Sequence, residues 1–384
     1  MVKNYSLKLP GRIYSGEGAL NNLLEITRGK YRKVIVFTDR GIRSSGTADL
    51  PVAKLKEAGA EVEIMDSLPS EPTYLEAQQA IDSFWTQHAD LIVGIGGGSV
   101  MDLAKLASVT APGKCSVKDL LENPRLAKKQ TATILIPTTA GTGSEATPNS
   151  IVAVPEKELK VGVVSEEMLA DYVILDGEMI RNLPAKIAAS TGMDALCHAI
   201  ECYTSAKASP FSNLFAMQAM KLIFSSIEKA CLNRDGMAEK ENMLLAAFYG
   251  GVAICASGTT AVHALSYPLG GKYHIPHGVA NAIMLVPVLK FNSRACAGEF
   301  SEIYDAVFGE KQIPAEEKCS RVIERIRTII ANLSLPTTLN GYGVGREDLD
   351  VLAGSGMEVT RLLNNNKRIV RYEDAVKLYS EVIE

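Results

Sequence analysis

Histidine is scarce in this chain: five residues among 384. The seven cysteines are scattered, odd in number and free of any C-x-x-C pair. That excludes a thiolate zinc site and a small disulfide framework, and it suits reduced thiols in a cytoplasm. No apolar run approaches the roughly 18 residues of a membrane span. No Lys/Arg-rich block is present and the net charge is −4, so nothing points to nucleic acid. The opening MVKNYSLKLPGRIYSG alternates and carries charge, reading as neither a signal peptide nor a transit sequence. Internal repeats and low-complexity linkers are also missing. With 47% hydrophobic residues and a mean hydropathy of +0.07, the expectation is a soluble, cytoplasmic protein acting on a small molecule.

The length suggests two domains. Up to about residue 184, apolar β-branched runs recur at KVIVFTD (33–39), EVEIMD (61–66), LIVGIG (91–96), ATILIPT (132–138) and YVILD (172–176). Helical patterns lie between the earlier ones, clearest in EPTYLEAQQAIDSFWTQH (71–88). Strand and helix in alternation predict a parallel sheet with helices on its faces. From residue 185 the β signal fades into Ala/Leu/Met-rich stretches at 185–205, 210–231, 237–256, 296–308, 314–333 and 371–384. The expected division is an α/β domain over 1–184 and an all-α domain over 185–384, with the cleft between them a natural place for a site.

LIVGIGGGSVMDLAKLAS (91–108) runs from a buried strand through three glycines into a helix. Glycines let a ligand approach the backbone, and unpaired N–H groups at a helix start attract an anion such as pyrophosphate. The same pattern also fits a plain turn capped by Ser99, since G-x-G-x-x-G is absent. Two features favour a dinucleotide. Asp39 in FTDR ends an earlier strand, where its carboxylate could accept from a ribose diol and repel a 2′-phosphate, favouring NAD(H). IPTTAGTGSEAT (136–147) then offers the hydroxyls of Thr138, Thr139, Thr142, Ser144 and Thr147.

Three of the five histidines fall within AVHALSYPLGGKYHIPHG (261–278). Upstream, in STGMDALCHAIECY (190–203), Asp194 and His198 are spaced i, i+4, which puts a carboxylate and an imidazole on one helix face. Asp194 with His198, His263 and His277 would supply one oxygen and three nitrogens, a set suited to Fe²⁺ or Zn²⁺ with positions left open. His263 is expected in a helix and His277 in a turn closed by Pro276 and Gly278. A nicotinamide carries hydride and a metal polarises a carbonyl, so together they point to alcohol–aldehyde interconversion.

At this point the chain resembles the iron-dependent, or group III, alcohol dehydrogenases over nearly its whole length. GGGSVMDLAK (96–105) is similar to the family's cofactor turn, PTTAGTGSEAT (137–147) to its second nucleotide motif, and GMDALCHAIECY (192–203) and HALSYPLGGKYHIPHGVANA (263–282) to its metal-binding segments. The resemblance implies a dehydroquinate synthase-like fold, NAD(H), and a divalent metal on Asp194, His198, His263 and His277, Fe²⁺ before Zn²⁺. It implies cofactor roles for Gly97, Gly98, Ser99, Asp102, Thr138 and Thr139, and for Lys160 a contact with the ribose. It also implies a homodimer.

Three departures stand out. Where many relatives carry a second histidine, this chain has Tyr267, whose phenol has an ordinary pKa of roughly 10 against 6.5 for imidazole. Protons are then expected to leave through water, the cofactor ribose or His274. Glu71 in PSEPT replaces the usual asparagine near the cofactor. Third, Tyr267 and the tail RLLNNNKRIVRYEDAVKLY (361–379) resemble the branch acting on 4-hydroxybutyrate and succinate semialdehyde. Arg361, Lys367, Arg368, Lys272 and His274 could then receive the distal anion of a semialdehyde or of a sulfonated or phosphonated aldehyde. The alternatives are a generalist short-chain, 1,3-propanediol or lactaldehyde type of dehydrogenase, a glycerol dehydrogenase relative, a dehydroquinate-synthase-like lyase, and a non-catalytic NAD-binding protein.

Overall fold

The five β-branched runs of the first half, joined by a short strand near the N-terminus that was not among them, assemble into one six-stranded sheet. In the computed structural model, which describes residues 4–157, 159–309 and 312–383, the strands are β1 (Arg12–Ser15), β2 (Lys33–Phe37), β3 (Glu61–Met65), β4 (Leu91–Gly96), β5 (Ala132–Pro137) and β8 (Tyr172–Leu175). Their order is β1-β8-β5-β4-β2-β3, and every pairing is parallel. A parallel sheet is covered on both faces, which is why β4 and most of β2 and β5 read as unbroken apolar runs. From β2 the chain crosses outward to β3, whereas from β4 it crosses the other way to β5. The direction therefore reverses between the adjacent strands β2 and β4, and ligands bind outside the carboxyl ends of strands at such a reversal. Asp39 follows β2 there and Gly97–Ser99 follow β4.

The helix expected over 71–88 spans Tyr74–Trp85, because Thr73 caps it in a reciprocal box with Glu76. The helix Gly98–Val109 packs tightly on the sheet, where a Cβ on Gly94 would meet Leu135 at 3.0 Å and Ala104 at 3.2 Å. An antiparallel hairpin, β6 (Asn149–Val154) with β7 (Leu159–Val164), was not among the expected strands. Its alternating burial marks it as a two-faced ribbon separate from the main sheet.

The described residues form two compact units, Lys8–Leu183 and 184–383, the latter with residues 4–7. The second is helical. Its central helix, Ala185–Thr204, is buried continuously from Gly192 to Thr204 and packs on Pro210–Leu232, Met237–Ser257 and His277–Asn292. Small residues permit the crossings: a Cβ on Gly192 would lie 3.0 Å from Ile227, and one on Gly250 would lie 3.4 Å from the His198 Cβ. The stretch holding the clustered histidines forms two helices, Ala261–Tyr273 and His277–Asn292, separated by His274-Ile275-Pro276. His274 takes the left-handed conformation (φ 53°) that ends the first, and Pro276 precedes the second. His277 thus opens a helix, where the sequence suggested a turn. Among the described residues no single helix is long and apolar enough to cross a membrane.

Candidate active site

The metal-type ligands come from three helices of the second unit. Asp194 and His198 lie one turn apart on the central helix, His263 sits near the start of Ala261–Tyr273, and His277 begins the helix that follows. Asp194 Oδ1 is the hub: the Nε2 atoms of His198, His263 and His277 lie 3.6, 3.5 and 3.6 Å from it. Asp194, His263 and His277 form a group whose donor atoms are all within 4.8 Å of one another. His198 stands beside that group, its ring stacked on His263 at 4.7 Å. One carboxylate oxygen with imidazole nitrogens, and no thiolate, fits a divalent iron or zinc ion.

Charge in the cluster is strongly coupled. Burial by itself would raise the Asp194 carboxyl, but the imidazoles of His198, His277 and His263 outweigh it and hold the group well below the carboxylate range. Burial would lower His263, yet Glu201 and Asp194 lift it to about 9.

Two residues that sequence reasoning did not single out orient these ligands. The buried Glu201 accepts from His263 Nδ1, from the backbone N–H groups of Thr260 and Val262 at 2.9 Å each, and from the Thr260 hydroxyl at 2.7 Å. Binding His263 through Nδ1 leaves Nε2 facing Asp194. Asn281 Oδ1 accepts from Ser266, and its amide then donates to Asp194 Oδ1 at 2.7 Å. Helical spacing carries the signal for both. Glu201 lies seven residues after Asp194 and three after His198, and Asn281 lies four after His277.

The nucleotide-type residues belong to the first unit. A cavity of about 560 Å³ lies at the carboxyl ends of β2 and β4, lined by Asp39, Ser67, Ser70, Gly97, Gly98 and Ser99 among others. Gly97 opens the 98–109 helix without a side-chain cap. A Cβ on Gly98 would come within 2.9 Å of Thr142, and one on Gly97 within 3.6 Å of Thr139, so the two small-residue loops meet in one wall. The Thr138 hydroxyl, just past the end of β5, is buried with no protein partner among the described residues. An uncapped helix start, glycines facing a cavity and an unsatisfied hydroxyl are what a dinucleotide requires. One oxygen of Asp39 caps the short helix Arg40–Ser44 by accepting from Ile42 N at 2.9 Å, leaving the other for a ribose.

Asp102 does not line this cavity. Its oxygens take hydrogen bonds from Ser144 Oγ at 2.5 Å and Ile151 N at 2.8 Å, and Lys105 lies 2.9 Å away. The fully buried Lys105 also donates to Ser144 O and Oγ and to Asn149 O, with the Thr147 hydroxyl at 3.3 Å. Asp102 and Thr147 therefore brace the second loop against the first, where the resemblance implied a cofactor contact for Asp102. Lys160 pairs with Glu71 at 2.7 Å.

Tyr267 sits beside the metal group, its ring 5.8 Å from that of His277 and 6.4 Å from that of His263. His274 is exposed. Of the residues expected to receive a distal anion, Lys272 pairs with Asp348 at 3.2 Å, Lys367 pairs with Glu299, and Arg368 lies over the Phe291 ring while donating to the Phe291 carbonyl. Lys272 and Lys367 are thus each matched by a carboxylate, Arg368 is held by uncharged partners, and Arg361 is exposed.

Comparison with known proteins agrees with the chemistry of both sites. Over 359 residues the chain is 35% identical to long-chain-alcohol dehydrogenase 1 of Geobacillus thermodenitrificans, covering 92% of this chain and 90% of that one. It is 32% identical to sulfoacetaldehyde reductase of Bilophila wadsworthia, covering 98% and 97% respectively. The crystal structure of sulfoacetaldehyde reductase from Bifidobacterium kashiwanohense in complex with NAD⁺ superposes with a TM-score of 0.88 at 26% identity, over 99% of each chain. Residues 10–177 match the family described as iron-containing alcohol dehydrogenase, and residues 188–383 match the C-terminal region of the Fe-containing alcohol dehydrogenase family. The chain belongs to the iron-containing alcohol dehydrogenases, enzymes that work with NAD(H) and a divalent metal.

Proposed function

We propose that this enzyme interconverts a primary alcohol and its aldehyde, with a divalent metal on Asp194, His198, His263 and His277. The convergence of three imidazoles on Asp194 Oδ1 carries this reading. When bound, the metal supplies a Lewis acid for the substrate oxygen and the nicotinamide supplies or accepts hydride. The chain's own part is positional. Glu201 fixes the His263 tautomer, Asn281 holds the Asp194 carboxylate, and Tyr267 stands against His263 and His277 as a wall of the alcohol site. Gly97, Gly98, Ser99, Thr138, Thr139 and Thr142 hold the dinucleotide, Asp39 receives a ribose hydroxyl, and Lys160 contacts a ribose together with Glu71. His274, an exposed imidazole, passes the proton to water.

For the substrate, the ion pairs that Lys272 and Lys367 make within the protein support an uncharged aldehyde over an ω-anionic one. The similarity to a protein named sulfoacetaldehyde reductase supports the anionic class, with Arg361 as the remaining cation. NADH oxidation by anaerobically Fe²⁺-reconstituted enzyme tests both, with butanal, succinate semialdehyde and sulfoacetaldehyde as substrates. Butanal turned over at least as well as the anions is the expected result. A strong preference in kcat/KM for either anion replaces the substrate reading, and turnover without net NADH change would indicate a lyase. We expect a homodimer, which sedimentation velocity tests.

A further inference from the structure

Asn365, in the stretch LLNNNKR (362–368), is only 3% exposed. Two backbone contacts moor it within the second unit. Its N–H donates to Leu362 O at 2.9 Å, and its carbonyl accepts from Ala206 N at 2.7 Å, just past the end of the central helix. The side-chain Nδ2 donates to Thr259 O at 2.9 Å, while Oδ1 is buried with no protein partner among the described residues. The reverse amide orientation would set Oδ1 against Thr259 O, two acceptors facing one another. The close approach depends on Gly258, because a Cβ there would stand 2.9 Å from Asn365 Nδ2. The same glycine, at φ 78° and ψ 158°, leaves the neighbouring peptide planes free to rotate unless something holds them.

Thr259 C=O and Thr260 N–H are the two ends of one peptide group, and the N–H end donates to Glu201 at 2.9 Å. Glu201 in turn accepts from His263 Nδ1. We infer that Asn365 is a positioning residue for the metal group, acting through the Thr259–Thr260 peptide and Glu201 on His263. A trans peptide points its C=O and N–H in opposite directions, so a donor on one side and an acceptor on the other pin the plane. Hydrogen bonds in a chain also polarise one another: donation into the carbonyl makes the N–H beyond it a stronger donor. Without Asn365 this peptide is held from the Glu201 side alone, and the Thr260 donors that hold Glu201 lose their fixed place. His263 then loses part of the alignment that aims its Nε2 at Asp194. This rests on the metal reading given above.

The test is Fe²⁺ affinity of the whole chain, measured by competition with a chelator, together with thermal unfolding. Asn365→Leu keeps the shape and removes the unpartnered oxygen along with the donor. Asn365→Ala is the second variant should leucine fail to pack. The loss in Fe²⁺ affinity should be roughly 3- to 10-fold, smaller than for a residue that touches a ligand itself. Asn366→Ala is the control: its side chain pairs amide to amide with Asn292, at 2.8 and 2.9 Å, fifteen residues beyond His277. It should unfold earlier while binding Fe²⁺ as the parent does, which separates lost stability from lost alignment. In a Glu201→Gln background, Asn365→Leu should lower Fe²⁺ affinity no further, as expected of residues acting as a unit. Parent-like Fe²⁺ affinity in a folded Asn365 variant, an equal loss in Asn366→Ala, or a loss that simply adds to that of Glu201→Gln would overturn the inference. A parent enzyme that binds no Fe²⁺ would instead overturn the metal reading itself.

Discussion

His263 is held from both sides: Glu201 accepts a hydrogen bond from its Nδ1, and its Nε2 lies 3.5 Å from Asp194 Oδ1. The imidazole is thereby fixed in orientation before any ligand arrives. Glu201→Gln keeps the shape but offers a weaker acceptor. Metal affinity should fall roughly 10- to 100-fold, as measured by competition with a chelator. Glu201→Ala strands the buried N–H groups of Thr260 and Val262 as well, so it should also destabilise the fold by several kcal/mol. Unaltered metal affinity in the glutamine variant would show that the contact does not tune the ligand.

Gly278 follows His277 at the start of its helix, and a Cβ there would stand 2.2 Å from the Ser190 carbonyl oxygen. Backbone cannot yield as a flexible side chain can. Gly278→Ala must push the 277–292 helix away from the central helix, carrying His277 from Asp194. The expected result is a stability loss of about 1–3 kcal/mol with reduced bound metal. Gly298→Ala, where a Cβ meets open space, is the control and should be neutral or mildly stabilising. Full metal content in Gly278→Ala would contradict this account.

Glu145 lies buried in the second nucleotide loop, and burial raises its carboxyl from 4.5 to about 7 against the opposing pull of a backbone hydrogen bond and Lys105. For an acid raised in the folded state, the native protein binds more protons than the unfolded chain between those values. Stability therefore falls as pH rises through that window, and the penalty is complete above it. Glu145→Gln removes the penalty. Its unfolding free energy from urea titration should exceed the parent's near pH 8 by up to about 3 kcal/mol, and approach it near pH 5. A pH-independent difference would refute this.

His274 holds the left-handed cap between two helices, so two substitutions separate its possible roles. Asparagine accepts that backbone without strain, whereas alanine does not. His274→Asn should leave the melting temperature unchanged and lower kcat by roughly 10- to 100-fold if the imidazole relays the proton. His274→Ala should in addition unfold earlier. An asparagine variant with full activity and an unchanged pH–rate profile would remove His274 from the proton path.

Local chemistry was the legible part of the chain. The parallel sheet could be read from its apolar β-branched runs, unbroken in the central strands because these are buried on both faces. The β6–β7 hairpin escaped because its pattern is short and half-exposed. Asp194 and His198 could be matched by counting, since four residues make one helical turn whatever surrounds it. Glu201 was open to the same count, but a buried acid in a helix resembles many solvated ones until its partners are known. The partners of the cationic residues were illegible for a related reason. Sequence locates Lys272, Lys367 and Arg368, and says nothing of Asp348, Glu299 or the Phe291 ring that engage them.

By itself, then, the sequence determined what depends on spacing within one element: the strand order of hydrophobicity, the glycine turn after β4, the carboxylate–imidazole pair on the central helix. Tertiary structure decided what depends on distant residues meeting. It set His263 and His277 beside Asp194 across helices 69 and 83 positions away, gave Asp102 a bracing role through Ser144 and Lys105, and joined Glu71 to Lys160. The physical reason is that backbone hydrogen bonding fixes local geometry residue by residue, whereas side chains far apart in sequence are brought together only by the packing of buried helices and loops.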